Sequence, residues 1–363
     1  MPETASPARV VIVGYGLAGR VFHSRLIAAE PGLTIAAVVT SDPERAAQAR
    51  AEVPGALVLA TADEAWARSG DFDVAIIATA NSAHVPQARA ALGAGLHVVV
   101  DKPLAGTAAE AQGLIDAAAA AGRQLHVFQN RRWDSEIITV QRAIDEGLLG
   151  RVHRWESRFE RWRPTPKGGW REDGPAEDLP GLLYDLGSHL VDQALHVMGP
   201  VVRVYASVRA VRDGQVTDDD TQVFLAHESG AVSLLSVSSV AALREPRLRV
   251  LGTAGGIDII GLDTQEVALR SGTDPKADGW GTEPSEAAVT LVTAADPQPR
   301  SIPRSPGAWP EYYRGVARAI ADGAPAPVDP ADAVANLRVI EAAVRSGRDG
   351  VVVDLDPPAA HVP

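Results

Sequence analysis

Lys102, Asp185 and His189 are residue types suited to moving a proton on and off a hydroxyl group. A neutral imidazole accepts a proton near pH 7, an ammonium stabilises a negatively charged oxygen as it develops, and a carboxylate orients the group being deprotonated. Lys102 lies in Asp101-Lys102-Pro103, directly after the apolar run 96–100. A charged pair at the carboxyl end of a parallel strand stands where open α/β sheets bind their ligands; the plain alternative for Lys102 is a solvent-facing surface lysine. Asp185 and His189 belong to 182–198, LLYDLGSHLVDQALHVM, which reads as a helix. With Asp192 and His196 they recur at i, i+4, i+7 and i+11 and so share one stripe. Ionisable groups on an otherwise apolar helix are costly unless they face a cleft or pair with one another. A solvated helix face is the bland alternative.

A second signal lies near the start of the chain. Gly14-Tyr15-Gly16-Leu17-Ala18-Gly19 follows a short apolar strand and opens a helical stretch. In a dinucleotide site the first glycine makes a tight turn, the second lets the backbone approach the pyrophosphate, and the third permits close helix–strand packing. The alternative is a glycine turn in another α/β protein. The second strand ends Val39-Thr40-Ser41-Asp42, with hydroxyls where an acid would bind the ribose of NAD and repel a 2′-phosphate. Thr40 and Ser41, with Arg45 or Arg20 in reach, favour NADP over NAD. Asp42 is expected to cap the helix that starts at Pro43. Aspartate and histidine at i, i+4 could also hold zinc, but nicotinamide chemistry needs no metal when a lysine and a histidine handle the proton, so no metal site is expected.

These residues need a frame. From Arg9 to about Gln129, short β-branched runs (9–13, 33–39, 74–79, 96–100, 125–128) alternate with helical patterns near 19–30, 42–52, 83–94 and 107–121. Strands without polar alternation are buried on both faces, which implies a parallel, doubly wound sheet covered by helices. After about residue 150 the runs 201–211, 219–227, 230–239, 246–252 and 265–270 follow one another through polar turns, as in an antiparallel sheet. Helical patterns at 310–322 and 330–346 close the chain, and 271–288 and 296–308 read as loops. The expected division is 1–129 for the dinucleotide domain and 130–363 for a substrate and oligomerisation domain, whose last helix could pack back toward the first. Between Arg131 and Arg171 lie nine arginines and four of the seven tryptophans. Arginine forks and aromatic faces suit polyhydroxylated substrates, making Arg132 and Trp162 candidate substrate-binding residues. Arg154, Glu156, Arg158 and Glu160 alternate along one strand face and are better explained by ladder pairing.

Composition narrows the classes. The chain has 363 residues with a net charge of −12 and no cysteine. No general nucleic-acid or anionic-membrane binder is expected from such an acidic chain, and disulfides, thiolate catalysis and cysteine-held metals are excluded. Neither a signal-peptide pattern nor a membrane-spanning run is seen, so a cytoplasmic location is expected.

GYGLAG, TANSAH at 79–84, DKP at 101–103, NRRWD at 130–134 and YDLGSHLVDQALHVMG at 184–199 together resemble the Gfo/Idh/MocA oxidoreductases, over nearly the whole chain. The strings GYGLAGRVFH and NRRWD look most like the branch that contains NADP-dependent scyllo-inositol dehydrogenase. The resemblance implies an N-terminal Rossmann doubly wound parallel sheet plus a C-terminal α+β domain with an open, mostly antiparallel sheet, assembled as a homodimer or homotetramer. It matches Lys102 to the family's lysine and Asp185 with His189 to its D-x-x-x-H pair. Thr79, Asn81 and His84 match a loop beside the nicotinamide ribose, Asn130 a position near the nicotinamide, and Trp170-Arg171 a loop that touches cofactor or substrate. Asp101 replaces a commoner glutamate, shortened by one carbon, and the Lys102–Pro103 bond is expected to be cis, as only X–Pro bonds permit cheaply. The implied reaction is hydride transfer between a nicotinamide and a secondary alcohol of a sugar or cyclitol. A cofactor-binding regulator on the same fold, a sugar–sugar oxidoreductase with a tightly held cofactor, and an NAD-dependent glycosidase are the alternatives.

Overall fold

The computed structural model describes residues 6–243, 245–284 and 287–356. Two compact units emerge, one formed by 1–130, 265–280 and 308–334, the other by 131–264, 281–307 and 335–363. The chain therefore returns to its first unit twice after leaving it near residue 130, rather than dividing into two consecutive segments.

The first unit holds a six-stranded parallel sheet of β1 (Ala8–Val13), β2 (Leu33–Val39), β3 (Leu57–Leu59), β4 (Val74–Ile77), β5 (His97–Val100) and β6 (Leu125–Val127), in the order β3-β2-β1-β4-β5-β6. Strand order reverses between β1 and β4, and the crevice beyond the carboxyl ends of such strands is the ligand position of a doubly wound sheet. Register aligns those ends: Val13 lies opposite Ile77, and Ile77 opposite Val100. The strands read as unbroken apolar runs because both faces are covered; Val10 to Ile12, Val74 to Ile77 and Val98 to Val100 are all inaccessible to solvent. Asp42 caps the helix Pro43–Glu52, as expected, accepting from the amides of Glu44 at 2.8 Å and Arg45 at 3.2 Å.

The second unit is built on a nine-stranded sheet of β7 (Val152–Glu160), β8 (Val201–Arg209), β9 (Asp220–His227), β10 (Val232–Ser238), β11 (Leu248–Gly252), β12 (Gly255–Ile259), β13 (Val289–Thr293), β14 (Arg300–Ser301) and β15 (Val353–Asp354). Its order is β14-β13-β12-β11-β7-β10-β9-β8-β15, antiparallel except where β7 and β10 run parallel. One face is apolar and packs against the helices Ser135–Asp145, Ser188–Met198 and Pro330–Asp349, around Trp155, Val204, Val223 and Val250. The alternate positions point away from that core, and Tyr205, Phe224 and Leu234 among them are exposed. On this face Glu156 bonds to the guanidinium groups of Arg154 and Arg158, two residues away on the same strand, where pairing across the ladder was expected.

One predicted strand is a helix. Residues 265–270 form the helix Gln265–Ser271 and belong to the first unit. Leu269 is buried while Val267 is exposed, so the apolar alternation there does not mark a half-buried strand. Glu266 and Arg270 make an i, i+4 ion pair, and the Gln265 side-chain oxygen accepts from the Trp309 amide at 2.7 Å and the Trp280 indole at 2.9 Å. Helix Ser135–Asp145 and strands β3, β12 and β13 have no counterpart in the sequence reading, and β14 lies inside the expected loop 296–308. Among the described residues no helix is long and apolar enough to cross a membrane.

Candidate active site

The glycine loop joins β1 to a helix whose opening part, Ala18–His23, is π-helical and continues as Ser24–Ala29. Its three glycines answer to three different constraints. Gly14 has φ +97°, and a Cβ there would lie 2.4 Å from the Ala78 carbonyl oxygen. A Cβ on Gly19 would lie 1.9 Å from the Gly14 carbonyl oxygen, so the helix could not pack onto the loop. Among the described residues, what a Cβ on Gly16 would meet within 4 Å is a guanidinium nitrogen of Arg45 at 3.8 Å, which leaves room there for a close-approaching group. No side chain caps the helix start at Leu17 and Ala18. Turn, open cradle and uncapped amides together fit the pyrophosphate of a dinucleotide. The Tyr15 ring is buried beneath the loop against Val38 and Ala49, and burial raises its phenol pKa. Arg20 is committed to Glu52, whereas Arg45 stands over the loop, 3.6 Å from Asp42 and next to the Thr40-Ser41 step.

Beyond β4 and β5 the loops carry the remaining candidates of this unit. Thr79 precedes the helix Asn81–Gly93, on which His84 is buried and donates from Nδ1 to the Pro103 carbonyl at 2.8 Å. Burial lowers the His84 pKa. The loop after β4 is thereby tied to the loop after β5, where the Lys102–Pro103 bond is cis. Asp101 Oδ1 accepts from the Lys102 amide at 2.7 Å. Burial raises the Asp101 pKa, but the nearby imidazole of His23, 3.7 Å from Oδ2, with His84 and Lys102, outweighs it and lowers the pKa overall. Asn130 is buried at the start of a short 3₁₀ turn, Asn130–Trp133.

In the second unit, Asp185 lies in a π-helical turn, Leu183–Gly187, and His189 in the helix Ser188–Met198 that continues it. A π turn often marks a functional segment, because it re-aims side chains that an α-helix would space regularly. Distant parts of the chain hold this helix in place. Asp218 accepts at Oδ2 from the Leu183 amide and from the Thr221 hydroxyl, both at 2.8 Å, and its main-chain oxygen takes the Leu182 amide at 3.1 Å. Gly181, at φ +108°, makes room, since a Cβ there would lie 2.1 Å from Asp218 Oδ1. The Asn336 side-chain amide donates to the Ser188 carbonyl at 2.7 Å.

The four-residue stripe separates by partner. Asp192 takes a two-pronged bond from Arg132, at 2.9 and 2.7 Å, with both side chains buried. His196 pairs with Gln141 at 3.0 Å. His189 is only 6% exposed. Arg132, expected at the substrate, thus has its fork on Asp192 and anchors the helix. Trp162 is exposed, and the side chains of Trp170 and Arg171 lie outside the described residues. Among the described residues no group of three histidines and carboxylates could hold a metal ion. Sequence reasoning missed Asp218. It lies in the acidic run Asp218-Asp219-Asp220, but Asp219 pairs with Arg212 and Asp220 with Arg209, and nothing in the run itself distinguishes the capping member.

Two family domains match the chain. Residues 8–129 match the oxidoreductase family's NAD-binding Rossmann fold, and 137–258 match the Gfo/Idh/MocA C-terminal domain. The chain is 33% identical over 351 residues to scyllo-inositol 2-dehydrogenase (NADP(+)) IolW of Bacillus subtilis, covering 96% of each protein. It is 34% identical to the oxidoreductase YdgJ of Escherichia coli, covering 94% of this chain and 96% of that one. Two solved structures superpose closely: yvaA from Bacillus subtilis, with a TM-score of 0.92 at 33% identity over 97% of this chain and 99% of that one, and YPO2259 from Yersinia pestis, with 0.90 at 34% over 97% and 98%. The parallel sheet with its glycine loop, the second and mostly antiparallel sheet, and both domain matches lead to one conclusion: the chain belongs to the Gfo/Idh/MocA oxidoreductase family.

Proposed function

We propose that the protein is an NADP-dependent dehydrogenase that oxidises a secondary alcohol of a sugar or cyclitol of the inositol type. The observation that carries this reading is the placement of Asp101-Lys102 at the carboxyl end of β5, in the same sheet and at the same edge as the open Gly16 cradle. A bound nicotinamide supplies the hydride acceptor. His189 takes the hydroxyl proton as the carbon–hydrogen bond breaks, in the manner of a general base. Lys102 donates a hydrogen bond to the same oxygen and stabilises its developing negative charge. Asp185 orients the substrate and supports the proton network. Thr79, Asn81, His84, Asn130, Trp170 and Arg171 line the cofactor, and Arg132 and Trp162 serve the substrate side, Arg132 through the helix it anchors.

NADP is favoured because Thr40 and Ser41 stand where an acid would select NAD, and because Arg45 is aimed at the loop. The similarity to a relative named for NADP points the same way. The uncovered sheet face with Tyr205, Phe224 and Leu234 is the surface through which a homodimer or homotetramer would form.

A steady-state screen of inositols, aldoses and sugar acids with NAD⁺ and NADP⁺, followed by reduced-nicotinamide absorbance, tests the reading. Turnover of a polyol with NADP⁺ is expected. A preference for NAD⁺ overturns only the Thr40, Ser41 and Arg45 argument for NADP, whereas cofactor binding without turnover of any polyol favours a regulator.

A further inference from the structure

We propose that His23, backed by Tyr313, is a positioning residue for Lys102, acting through the Asp101 carboxylate. The proposal rests on the dehydrogenase reading only for its kinetic consequence. His23 closes the π-helical segment after the glycine loop and is inaccessible to solvent. Its ring centroid lies 4.3 Å from that of Phe128. Nδ1 is 2.5 Å from the Tyr313 hydroxyl and Nε2 is 3.7 Å from Asp101 Oδ2, while Asp101 Oδ1 receives the Lys102 amide at 2.7 Å. A polar chain thus runs from the helix Pro310–Asp322 through His23 to the residue bearing the ammonium.

Burial pushes the Tyr313 phenol well above its usual range, with Tyr312 and Asp101 adding to the effect, so its hydroxyl stays protonated. That hydroxyl and His23 Nδ1 share one hydrogen bond, which fixes the ring with Nε2 facing the carboxylate. Packing alone would be served by an apolar side chain among Phe128, Tyr312 and Tyr313, since an imidazole costs free energy to desolvate. What the imidazole adds is a polar nitrogen facing Asp101 Oδ2 at 3.7 Å. The groups facing Asp101 are His23, His84, Lys102, Tyr312 and Tyr313. Without His23, burial dominates and the carboxylate takes up a proton at a higher pH.

The chain has only three lysines, Lys102, Lys167 and Lys276, so reductive methylation with ¹³C-formaldehyde gives a small, assignable set of lysine methyl signals. In His23→Leu the Lys102 signal is expected to move while those of Lys167 and Lys276 stay in place. His23→Gln, which keeps an N–H donor, should restore the Lys102 signal, and Tyr313→Phe should shift it part of the way. In turnover, His23→Leu should lower kcat about tenfold, as loss of a supporting hydrogen bond does, with unchanged KM for the dinucleotide. The acid limb of kcat/KM should move to higher pH. An unmoved Lys102 signal in a folded His23→Leu protein overturns the proposal, as does failure of His23→Gln to restore it. Should His23→Leu not fold, the Tyr313→Phe spectrum decides in the same way. A wild-type protein that turns over no polyol defeats the dehydrogenase reading alone, and the lysine spectra still decide the positioning role.

Discussion

The two units hold their candidate groups in place by different means. In the first, the candidate groups sit on the loops at the carboxyl ends of the parallel strands or on the helices that follow them, and their geometry is largely local: a turn at Gly14, a cap at Asp42, a carboxylate bonded to the next residue's amide at Lys102. In the second, Asp185 and His189 ride on one helix clamped by partners far away in sequence, Asp218 on its first amides, Asn336 on Ser188, and Arg132 on Asp192. A motif of consecutive residues can build a phosphate cradle, because the backbone itself does the binding. A helix face presents side chains at fixed angles, so aiming it requires tertiary anchors.

The contrast can be broken most forcefully at the buried ion pair. Arg132→Met leaves the Asp192 carboxylate uncompensated in the interior and should cost about 3–5 kcal/mol in denaturant unfolding. The double variant Arg132→Met/Asp192→Leu should recover most of that loss. If the recovered protein still shows a raised substrate KM, Arg132 also touches substrate; an unchanged KM confines it to anchoring.

Acid sensitivity is expected at the buried histidines, most of them in the first unit, with His227 in the second. His126 on β6 is inaccessible to solvent, and burial lowers its pKa to about 4. The unfolded chain therefore binds this proton more readily than the folded one between pH 6.5 and about 4. Stability is complete above the upper value and falls by about 3 kcal/mol as the pH drops to the lower one. Buried His84 and half-buried His97, also lowered, add in the same direction. His126→Leu should flatten the pH dependence of unfolding; an unchanged slope would assign the acid response to other groups.

Lys102→Ala and His189→Ala, one in each unit, should each lower kcat about a hundredfold or more with nearly intact dinucleotide affinity. Loss of cofactor binding along with activity would make the residue concerned structural. A smaller effect tests the anchoring directly. Asp218→Ala removes the cap of the Asp185–His189 helix and should cost about 1–2 kcal/mol of stability together with a fall in kcat, measured against the same polyol. The mildest change is Arg45→Ala, which should weaken NADP binding about tenfold (roughly one hydrogen-bonded charge contact, 1.4 kcal/mol) and leave NAD binding unaltered.

Much of the first unit was legible in residue order because its signals are short in range. Strand–glycine–helix succession, Asp42 before Pro43, and Asp101-Lys102-Pro103 after an apolar run each follow from neighbouring residues. The stripe of Asp185, His189, Asp192 and His196 was visible too, but its meaning was not. Arg132 lies 60 residues from Asp192, and Asp218 lies 35 from Leu183, so spacing cannot tell a substrate-facing carboxylate from a paired one. At 265–270 the same limit produced an outright error, since Gln265 is held by Trp280 and Trp309 and the segment returns to the first unit as a helix.

Residue order by itself determined the two sheet types and the glycine loop of the NAD-binding fold, because periodicity and turn chemistry act over a few residues. Only the tertiary structure decided that Asp192 belongs to Arg132, that Asp218 caps the helix carrying Asp185 and His189, and that His23 stands behind Asp101. Those assignments depend on which buried polar groups satisfy one another, and that pairing exists only once the chain has closed around them.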